Sequence, residues 1–255
     1  MRRKELGVVG FLGAVAMLAV SATAAAQAVV VRSTGPSAVA YPKGKRLPAN
    51  ASVVLKAGDV VTVLDKAGTR VLKGAGSFTL DNAVNRDRSA AALLARSLSN
   101  PASVRAGAVR GAGDTSGEHV MPVSIWLADT AEGGNVCVPR GSDLYLWRED
   151  GKARSFTWLT ESAGGEMVRM QWPPRTVGIA WPKTMLAPQE GRIYRIYDET
   201  APEKAAEFRI VMLEPEAVPA DAESLGTLLL DNGCKAQFDW LAATLAEPEI
   251  LEQKP

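Results

Sequence analysis

Short runs of β-branched and aliphatic residues recur between glycines along most of this chain, and this rhythm restricts the possible fold more than any other feature. The stretch from 55 to 74, LKAGDVVTVLDKAGTRVLKG, places three such runs between Gly58, Gly68 and Gly74. β-Branched side chains fit a pleated strand, whereas glycine and short polar residues suit tight turns. The pattern therefore predicts a mainly β protein built from short strands.

Residues 29 to 85 predict a small antiparallel β domain, arranged as a meander of hairpins. Its strand-like runs are VVVRS, SAVAY, SVVLK, VVTVL, TRVLK and SFTL. In VVTVLD and TRVLKG the apolar residues do not alternate cleanly with polar ones, so parts of these strands should be covered on both faces. A partner domain or a partner subunit would supply the second cover.

The run LKAGDVVTVLDKAGTRVLKGAGSFTL resembles the FecR-like domain, through its Gly-Asp step, its strand-turn-strand pattern and its Gly-x-Gly. The longer run from VVVRSTGPSAVAYPKGKRLP to Leu80 also resembles a group of exported alphaproteobacterial proteins. The resemblance covers about a quarter of the chain, residues 29 to 85. It implies a periplasmic domain that helps to pass a signal from an outer-membrane receptor to a sigma-factor regulator.

Residues 1 to 28 predict a secretory signal peptide. Three basic residues at 2 to 4 precede an uncharged run from 6 to 20, and small residues follow, ending in Ala26-Gln27-Ala28, an A-x-A cleavage site. Fifteen apolar residues rise only about 22 Å as a helix, less than the ~30 Å hydrocarbon core, so export is favoured over a membrane span. We therefore expect a periplasmic protein, with an uncleaved signal anchor as the alternative.

The charge balance argues against polyanionic partners. Removal of residues 1 to 28 takes away three basic residues and one acidic residue, which leaves 26 basic and 27 acidic residues and a net charge of −1. A net charge near zero gives no excess of basic residues for binding nucleic acid or an anionic membrane. No later apolar run approaches membrane length, so no membrane span is expected after cleavage.

The two cysteines, Cys137 and Cys234, predict a disulfide, because an exported protein enters an oxidising compartment. The alternative is two separately buried thiols. Metal binding is disfavoured because zinc sites need three or four ligands and the chain has one histidine. No cofactor motif is recognised.

Residues 86 to 118 predict a helix followed by an exposed linker. The helix covers 87 to 98, DRSAAALLARSL, and SNP at 99 to 101 should end it. The following Gly/Ala/Ser-rich segment includes RAGAVRG at 105 to 111, which lacks the pattern of a phosphate-binding loop.

Residues 119 to 213 predict an immunoglobulin-like antiparallel β-sandwich. Seven or eight short strands with regularly spaced turns support this interpretation. The runs are PVSIWLAD, GNVCVP, DLYLWRED, ARSFTWLT, MVRMQWP, VGIAWP, RIYRIYD and EFRIVML.

Five tryptophans in this segment favour a shared core between two sheets. They are Trp126, Trp147, Trp158, Trp172 and Trp181. Strict alternation nevertheless puts Tyr145 with Trp147, and Phe156 with Trp158, on one face of their strands. These four residues form a possible aromatic surface, which would suit a sugar or peptidoglycan.

Residues 214 to 248 predict two helices, because apolar residues recur at 225, 228 and 229 and again at 238, 241, 242 and 245. Pro219, Asp221 and Glu223 favour the first helix start, and the two helices should join at Gly233. The cysteine bridge would then attach this helical pair to the sandwich. Residues 249 to 255 predict a disordered tail.

The chain offers little for catalysis. The one histidine, His119, lies beside Glu118 and near Ser116 in the linker, and neighbours on an extended chain point apart. Loop carboxylates could serve glycoside hydrolysis or, at Asp129 and Glu132, calcium binding, but no calcium-loop motif is present. The acidic residues in question are Asp143, Glu149, Asp150, Glu161 and Glu166.

We therefore expect a non-enzymatic exported module for protein recognition or signalling, with an envelope protein as partner. The alternative is an envelope protein that binds or hydrolyses polysaccharide through exposed tryptophans and acidic loops.

Overall fold

The computed structural model describes residues 26–48, 50–66, 68–80, 88–98, 124–149 and 153–246. Most of the predicted signal peptide, the linker with His119, and the predicted tail lie outside these ranges. The strands are β1 (Ala26–Thr34), β2 (Arg46–Pro48), β3 (Ser52–Leu55), β4 (Val60–Asp65), β5 (Gly68–Lys73), β6 (Gly76–Thr79), β7 (Leu127–Asp129), β8 (Gly134–Pro139), β9 (Tyr145–Trp147), β10 (Ser155–Glu161), β11 (Met167–Trp172), β12 (Gly178–Ala180), β13 (Ile193–Asp198) and β14 (Ala201–Leu213). The helices are α1 (Arg88–Leu98), α2 (Ala222–Asp231) and α3 (Lys235–Thr244).

The N-terminal unit contains a four-stranded sheet in the order β2-β1-β4-β5 and a separate β3–β6 pair. All of its strand pairings are antiparallel, as predicted, but it is a meander only in part because β3 pairs with β6 rather than with a neighbour in sequence. β2 falls in PKGKRLPAN, the glycine- and proline-containing segment between the predicted strands SAVAY and SVVLK. Ala28, the predicted last residue of the signal peptide, is fully buried in β1.

The predicted strand SAVAY is wrong, because Ala38–Ala40 form a 3-10 turn in which Val39 is 93% exposed. The cause is the buried carboxylate of Asp59, in the Gly-Asp step. Its Oδ1 accepts a hydrogen bond from the backbone N–H of Ser37 at 2.8 Å, and its Oδ2 accepts one from Lys56 at 2.6 Å. These bonds fix the chain before Ala38 in a turn.

The four-stranded sheet is covered on both faces, as the uneven patterns of β4 and β5 predict. On one face Val30, Val61 and Val63 pack with the β3–β6 pair. On the other, Val29 and Leu64 pack against α2 and α3. The cover is therefore the protein's own C-terminal helical pair.

The sandwich consists of a five-stranded sheet, β11-β10-β13-β14-β8, and a three-stranded sheet, β12-β9-β7. All eight predicted runs form strands. Most pairings are antiparallel as predicted, but β8 pairs with β14, and β7 with β9, in parallel. The core between the sheets holds large side chains that include Trp172, Trp181, Tyr194 and Phe208.

The helical pair lies between the N-terminal sheet and the sandwich. Asp221 caps α2 by accepting a hydrogen bond from the backbone N–H of Ser224, and Gly233, at φ +72°, allows the turn into α3. Phe238, fully buried on α3, belongs to a cluster that includes Val29 of β1 and Cys137 of β8. The two β units therefore share one helical layer.

The predicted disulfide is confirmed, since Cys137 of β8 and Cys234 at the start of α3 lie at bonding distance, with Cα atoms 5.9 Å apart. Beside it lies Gln237, which is 1% exposed. Its side-chain amide makes hydrogen bonds to the edge of β8 that a neighbouring strand would otherwise make. Its Oε1 accepts from the N–H of Cys137, and its Nε2 donates to the carbonyls of Cys137 and Ile125, each at 2.7 Å. The edge of β8 is thereby satisfied at this point.

Helix α1 matches the predicted 87 to 98 closely and packs against the same helical layer through Leu94. Trp126 is also buried there, with its indole N–H donating to the carbonyl of Leu98 at 3.3 Å. Among the described residues, no helix combines the length and the hydropathy needed to cross a bilayer.

Candidate recognition surface

One face of the five-stranded sheet is uncovered over β10, β11, β13 and the first half of β14, whereas the helical layer covers it at β8 and the end of β14. Inward residues of β10, β11, β13 and β14 belong to the sandwich core, so their neighbours in sequence point outward. On β14, Val211 and Leu213 also point outward, but they pack into the cluster of the helical layer. The remaining outward residues join no hydrophobic core cluster within the described ranges. We call them the open face: Phe156, Trp158, Thr160, Met167, Arg169, Gln171, Ile193, Arg195, Tyr197, Ala205, Glu207 and Arg209.

The centre of the open face is a row across three strands. Trp158 of β10 lies directly opposite Arg169 of β11 on one side and Tyr197 of β13 on the other. Trp158 and Tyr197 are half-buried, and Met167 beside them is 51% exposed. Rings that are partly covered at their edges but open to solvent offer a large rigid contact area at low entropic cost.

Arg169 is held flat on this surface. Its guanidinium stacks over the ring of Phe156, 3.8 Å from the centroid, and forms a bidentate pair with Glu199, with Nε–Oε1 at 3.0 Å and NH2–Oε2 at 2.7 Å. The hydrogen bond from Arg169 holds the pKa of Glu199 below its usual value, and a hydrogen bond from Trp158 contributes. The same pairing raises the pKa of Arg169.

A second cation–π pair lies further along the face. The guanidinium of Arg195 is 5.5 Å from the ring centroid of Tyr197, and the hydroxyl of Tyr197 is 3.7 Å from the sulfur of Met167. The open face thus alternates aromatic rings with guanidinium groups.

The four predicted aromatic residues do not form one surface. Phe156 and Trp158 lie on the open face. Trp147 is only 8% exposed and packs edge-on against Trp240 at 5.3 Å, so its ring is part of the interior. Tyr145 is half-buried on the three-stranded sheet, where burial raises the pKa of its hydroxyl.

Sequence reasoning missed Tyr197, Arg169 and Arg195. The signal was present, because MVRMQW and RIYRIYD alternate between core-facing and outward residues. What the alternation could not show is that β10 lies between β11 and β13, which brings the three outward rows together.

The acidic residues considered for hydrolysis are not gathered in one place. Asp143 forms an ion pair with Lys183, and Glu161 with Arg192, each at 2.6 Å. Glu166 is exposed in the turn before β11, and Asp150 lies outside the described residues. Glu149 lies close enough to Asp129 for its charge to help raise the pKa of the Asp129 carboxyl.

Asp129, considered for calcium, serves the turn between β7 and β8. Its Oδ1 accepts a hydrogen bond from the N–H of Ala131 at 2.8 Å, and burial raises the pKa of its carboxyl. The described part of the chain contains no cluster of three or more histidine, cysteine or acidic residues placed to hold a metal ion.

A cavity of about 230 Å³ lies between α1, the start of α2 and the β4–β5 turn. Its lining is mostly apolar, with Lys66 and Asp221 as the charged members. Since Asp221 already caps α2, the cavity offers fewer polar contacts than the open face does.

Compared with models of known protein families and with curated proteins, the chain matches none.

Proposed function

We propose that this protein is an exported, non-enzymatic recognition module of the bacterial envelope that binds a protein partner through its open face. The observation that carries the proposal is the composition of that face. Trp158, Tyr197, Met167 and two arginines are the residue types enriched in the buried centres of protein interfaces. They lie together on a rigid sheet, which reduces the entropic cost of binding.

Export is supported by two independent features. Basic residues followed by an apolar run begin the chain, and the only two cysteines lie at disulfide distance in the folded protein. Ala24-Ala25-Ala26 also satisfies the A-x-A rule, and cleavage there would retain Ala28, which is fully buried in β1. We therefore expect the mature protein to begin at Gln27, which intact mass measurement of the exported protein checks.

The likeness of residues 29 to 85 to FecR-like domains supports an envelope protein as the partner and a role as periplasmic sensor or accessory subunit. The shared helical layer gives such a role a physical basis. It packs against both the N-terminal sheet and the sandwich, so one buried cluster joins the two units.

The test is cross-linking in native envelopes, followed by quantitative binding to the partner recovered. Trp158→Ala should abolish cross-linking while the near-UV circular dichroism of the folded protein persists. Tyr145→Ala removes an aromatic ring from the other sheet and is the matched control, which should cross-link normally. Equal cross-linking by both variants, or none by the wild type, would overturn the proposal.

Polysaccharide binding is the second candidate, because the neighbouring half-exposed rings of Trp158 and Tyr197 offer a flat surface of the kind on which sugars stack. Gln171, Arg195 and Glu207 could supply hydrogen bonds at its margin. Sedimentation with purified peptidoglycan separates the candidates. Co-sedimentation that Trp158→Ala removes favours the glycan, whereas no co-sedimentation leaves the protein partner.

A further inference from the structure

The edges of the two main sheets are treated very differently by this fold. An uncovered edge strand exposes backbone N–H and C=O groups that can pair with another chain. The edge of β8 is satisfied by the side-chain amide of Gln237. The edge of β5 is also occupied, because the N–H of Thr69 donates to the carbonyl of Leu245 at 3.2 Å, next to a parallel bridge from Thr69 to Ala246. Within the described ranges, β11 has no such cover.

The backbone direction of β11 follows from its neighbour. The N–H of Glu199 donates to the carbonyl of Phe156, so the backbone of Phe156 faces β13. Because backbone groups alternate along an antiparallel strand, Thr157 faces β11 and bonds to its register partner Met170. The N–H and C=O groups that point away from the sheet are therefore those of Met167, Arg169 and Gln171.

The charges around β11 differ between its two ends. Glu166, exposed, immediately precedes the strand. Two exposed arginines lie at the other end, which is Trp172. Arg175 follows Trp172 by three residues, and Arg154 precedes Ser155, the residue of β10 that pairs with Trp172. An antiparallel copy of the same strand would place its acidic end against this basic end, twice over, about a two-fold axis.

We propose that β11 pairs with β11 of a second copy of this chain, in antiparallel register, to form a continuous sheet across a two-fold symmetric dimer. Met167 then lies opposite Gln171 of the second copy, and Arg169 lies opposite its own equivalent, which gives about six backbone hydrogen bonds. The open faces of the two copies become one surface of twice the length. The proposal concerns the edge of the sheet and is independent of any ligand of the open face.

The meeting of two Arg169 residues looks unfavourable, because like charges opposite one another destabilise a sheet. In this protein the carboxylate of Glu199 balances the charge of each guanidinium through two hydrogen bonds, and the guanidinium lies flat over Phe156. The ion pair therefore becomes a requirement of the dimer, which offers a second, side-chain test.

The experiment is sedimentation equilibrium of the full mature protein from about 1 µM to about 1 mM, the range in which small interfaces dissociate. The wild type should reach twice the monomer mass. Gln171→Pro removes an outward N–H that makes no bond to the part of the chain that the structure describes, and should weaken self-association by about tenfold or more. Gln171→Ala keeps that N–H and is the matched control, expected to dimerise like the wild type.

Glu199→Gln should also weaken the dimer, because it removes the negative charge that balances each of the two opposed guanidinium groups, and high salt should restore part of the loss. Near-UV circular dichroism confirms that each variant is folded. A wild type that stays monomeric throughout the range overturns the proposal. So does a folded Gln171→Pro variant that dimerises like the wild type, since the interface would then lie elsewhere.

Discussion

The four-stranded sheet of the N-terminal unit and the five-stranded sheet of the sandwich solve the problem of burial in different ways. The first is covered on both faces, by the β3–β6 pair and by the helical layer. The second is covered fully on one face only, and its other face presents half-exposed rings and arginines. The comparison separates a sheet whose side chains serve stability from one whose outer side chains are free to serve recognition.

The sequences of the two sheets already differ in a way that reflects this. β4 has a run of three buried residues, Val63, Leu64 and Asp65, whereas β11 alternates strictly between exposed and buried positions. A strand covered on both faces has no reason to alternate, and a strand covered on one face must. Substitutions in the covered parts of the molecule should therefore lower the free energy of unfolding more than substitutions on the open face.

The largest effect is expected where the helical layer is bonded to the sandwich. Replacing both Cys137 and Cys234 by alanine removes a cross-link between residues separated by 97 positions. In the chain-entropy account this should lower the free energy of unfolding by about 4 to 5 kcal/mol. Equilibrium denaturation in urea measures it, and an unchanged midpoint would show that the helical layer is held without the bond.

The next effect concerns the edge of β8. Gln237→Ala leaves the buried N–H and C=O of Cys137 and the carbonyl of Ile125 without their partner. We expect a loss of roughly 2 to 4 kcal/mol, since each buried unsatisfied group costs about 1 to 3 kcal/mol and the groups share one site. Asp239→Ala, on the exposed side of the same helix, should cost under about 1 kcal/mol because its ion pair with Lys43 is at the surface.

A smaller effect tests how closely α2 approaches the four-stranded sheet. A Cβ added at Gly226 would lie 2.7 Å from Cδ2 of Leu64 and 3.1 Å from Cε2 of Phe238. Overpacking of about 1 to 3 kcal/mol should exceed the gain of about 1 kcal/mol that alanine normally brings to a helix, so Gly226→Ala should destabilise the protein. Ser224→Ala, in the same helix, lacks this clash. A stabilised Gly226→Ala variant would show that the layer is loosely packed.

How much of this could be foreseen from the sequence depends on whether the signal is local. Periodicity and turn-forming residues are local signals that extend over only a few residues. They predict the strands of the sandwich, the helical pair and the turn at Gly233. The strand β2 could not be foreseen, because Arg46–Pro48 is held by pairing with β1 and not by its own propensity.

The open face is predictable only in part for the same reason. The outward positions of Phe156 and Trp158 follow from alternation along one strand. Their union with Arg169 and Tyr197 depends on strand order, and the burial of Trp147 depends on Trp240, which lies far away in sequence on α3. Contacts between segments that are distant in the chain produce no periodic pattern in the sequence of either segment.

The helical layer over the covered sheet contains a buried carboxyl that should make stability depend on pH. Burial raises the pKa of Glu223 on α2 above its ordinary value of 4.5, and Lys66 partly opposes this. A folded-state pKa above the unfolded one means that ionisation costs stability as the pH rises through 4.5 and beyond. Glu223→Gln should therefore be more stable than the wild type at pH 7, with the difference vanishing below about pH 4.5. Glu216→Gln, exposed beside α2, should show no such dependence.

The smallest effect is expected on the open face, and two neighbours on β13 isolate it. Arg195 points outward and is exposed, whereas Ile196 is 1% exposed in the sandwich core. Ile196→Ala should cost about 2 to 5 kcal/mol through the cavity it leaves, but Arg195→Ala should stay within about 0.5 kcal/mol of the wild type. Urea denaturation of both variants measures the contrast. A large loss from Arg195→Ala would mean that the face is covered in the folded protein, and the sheet would then resemble its N-terminal counterpart instead of a recognition surface.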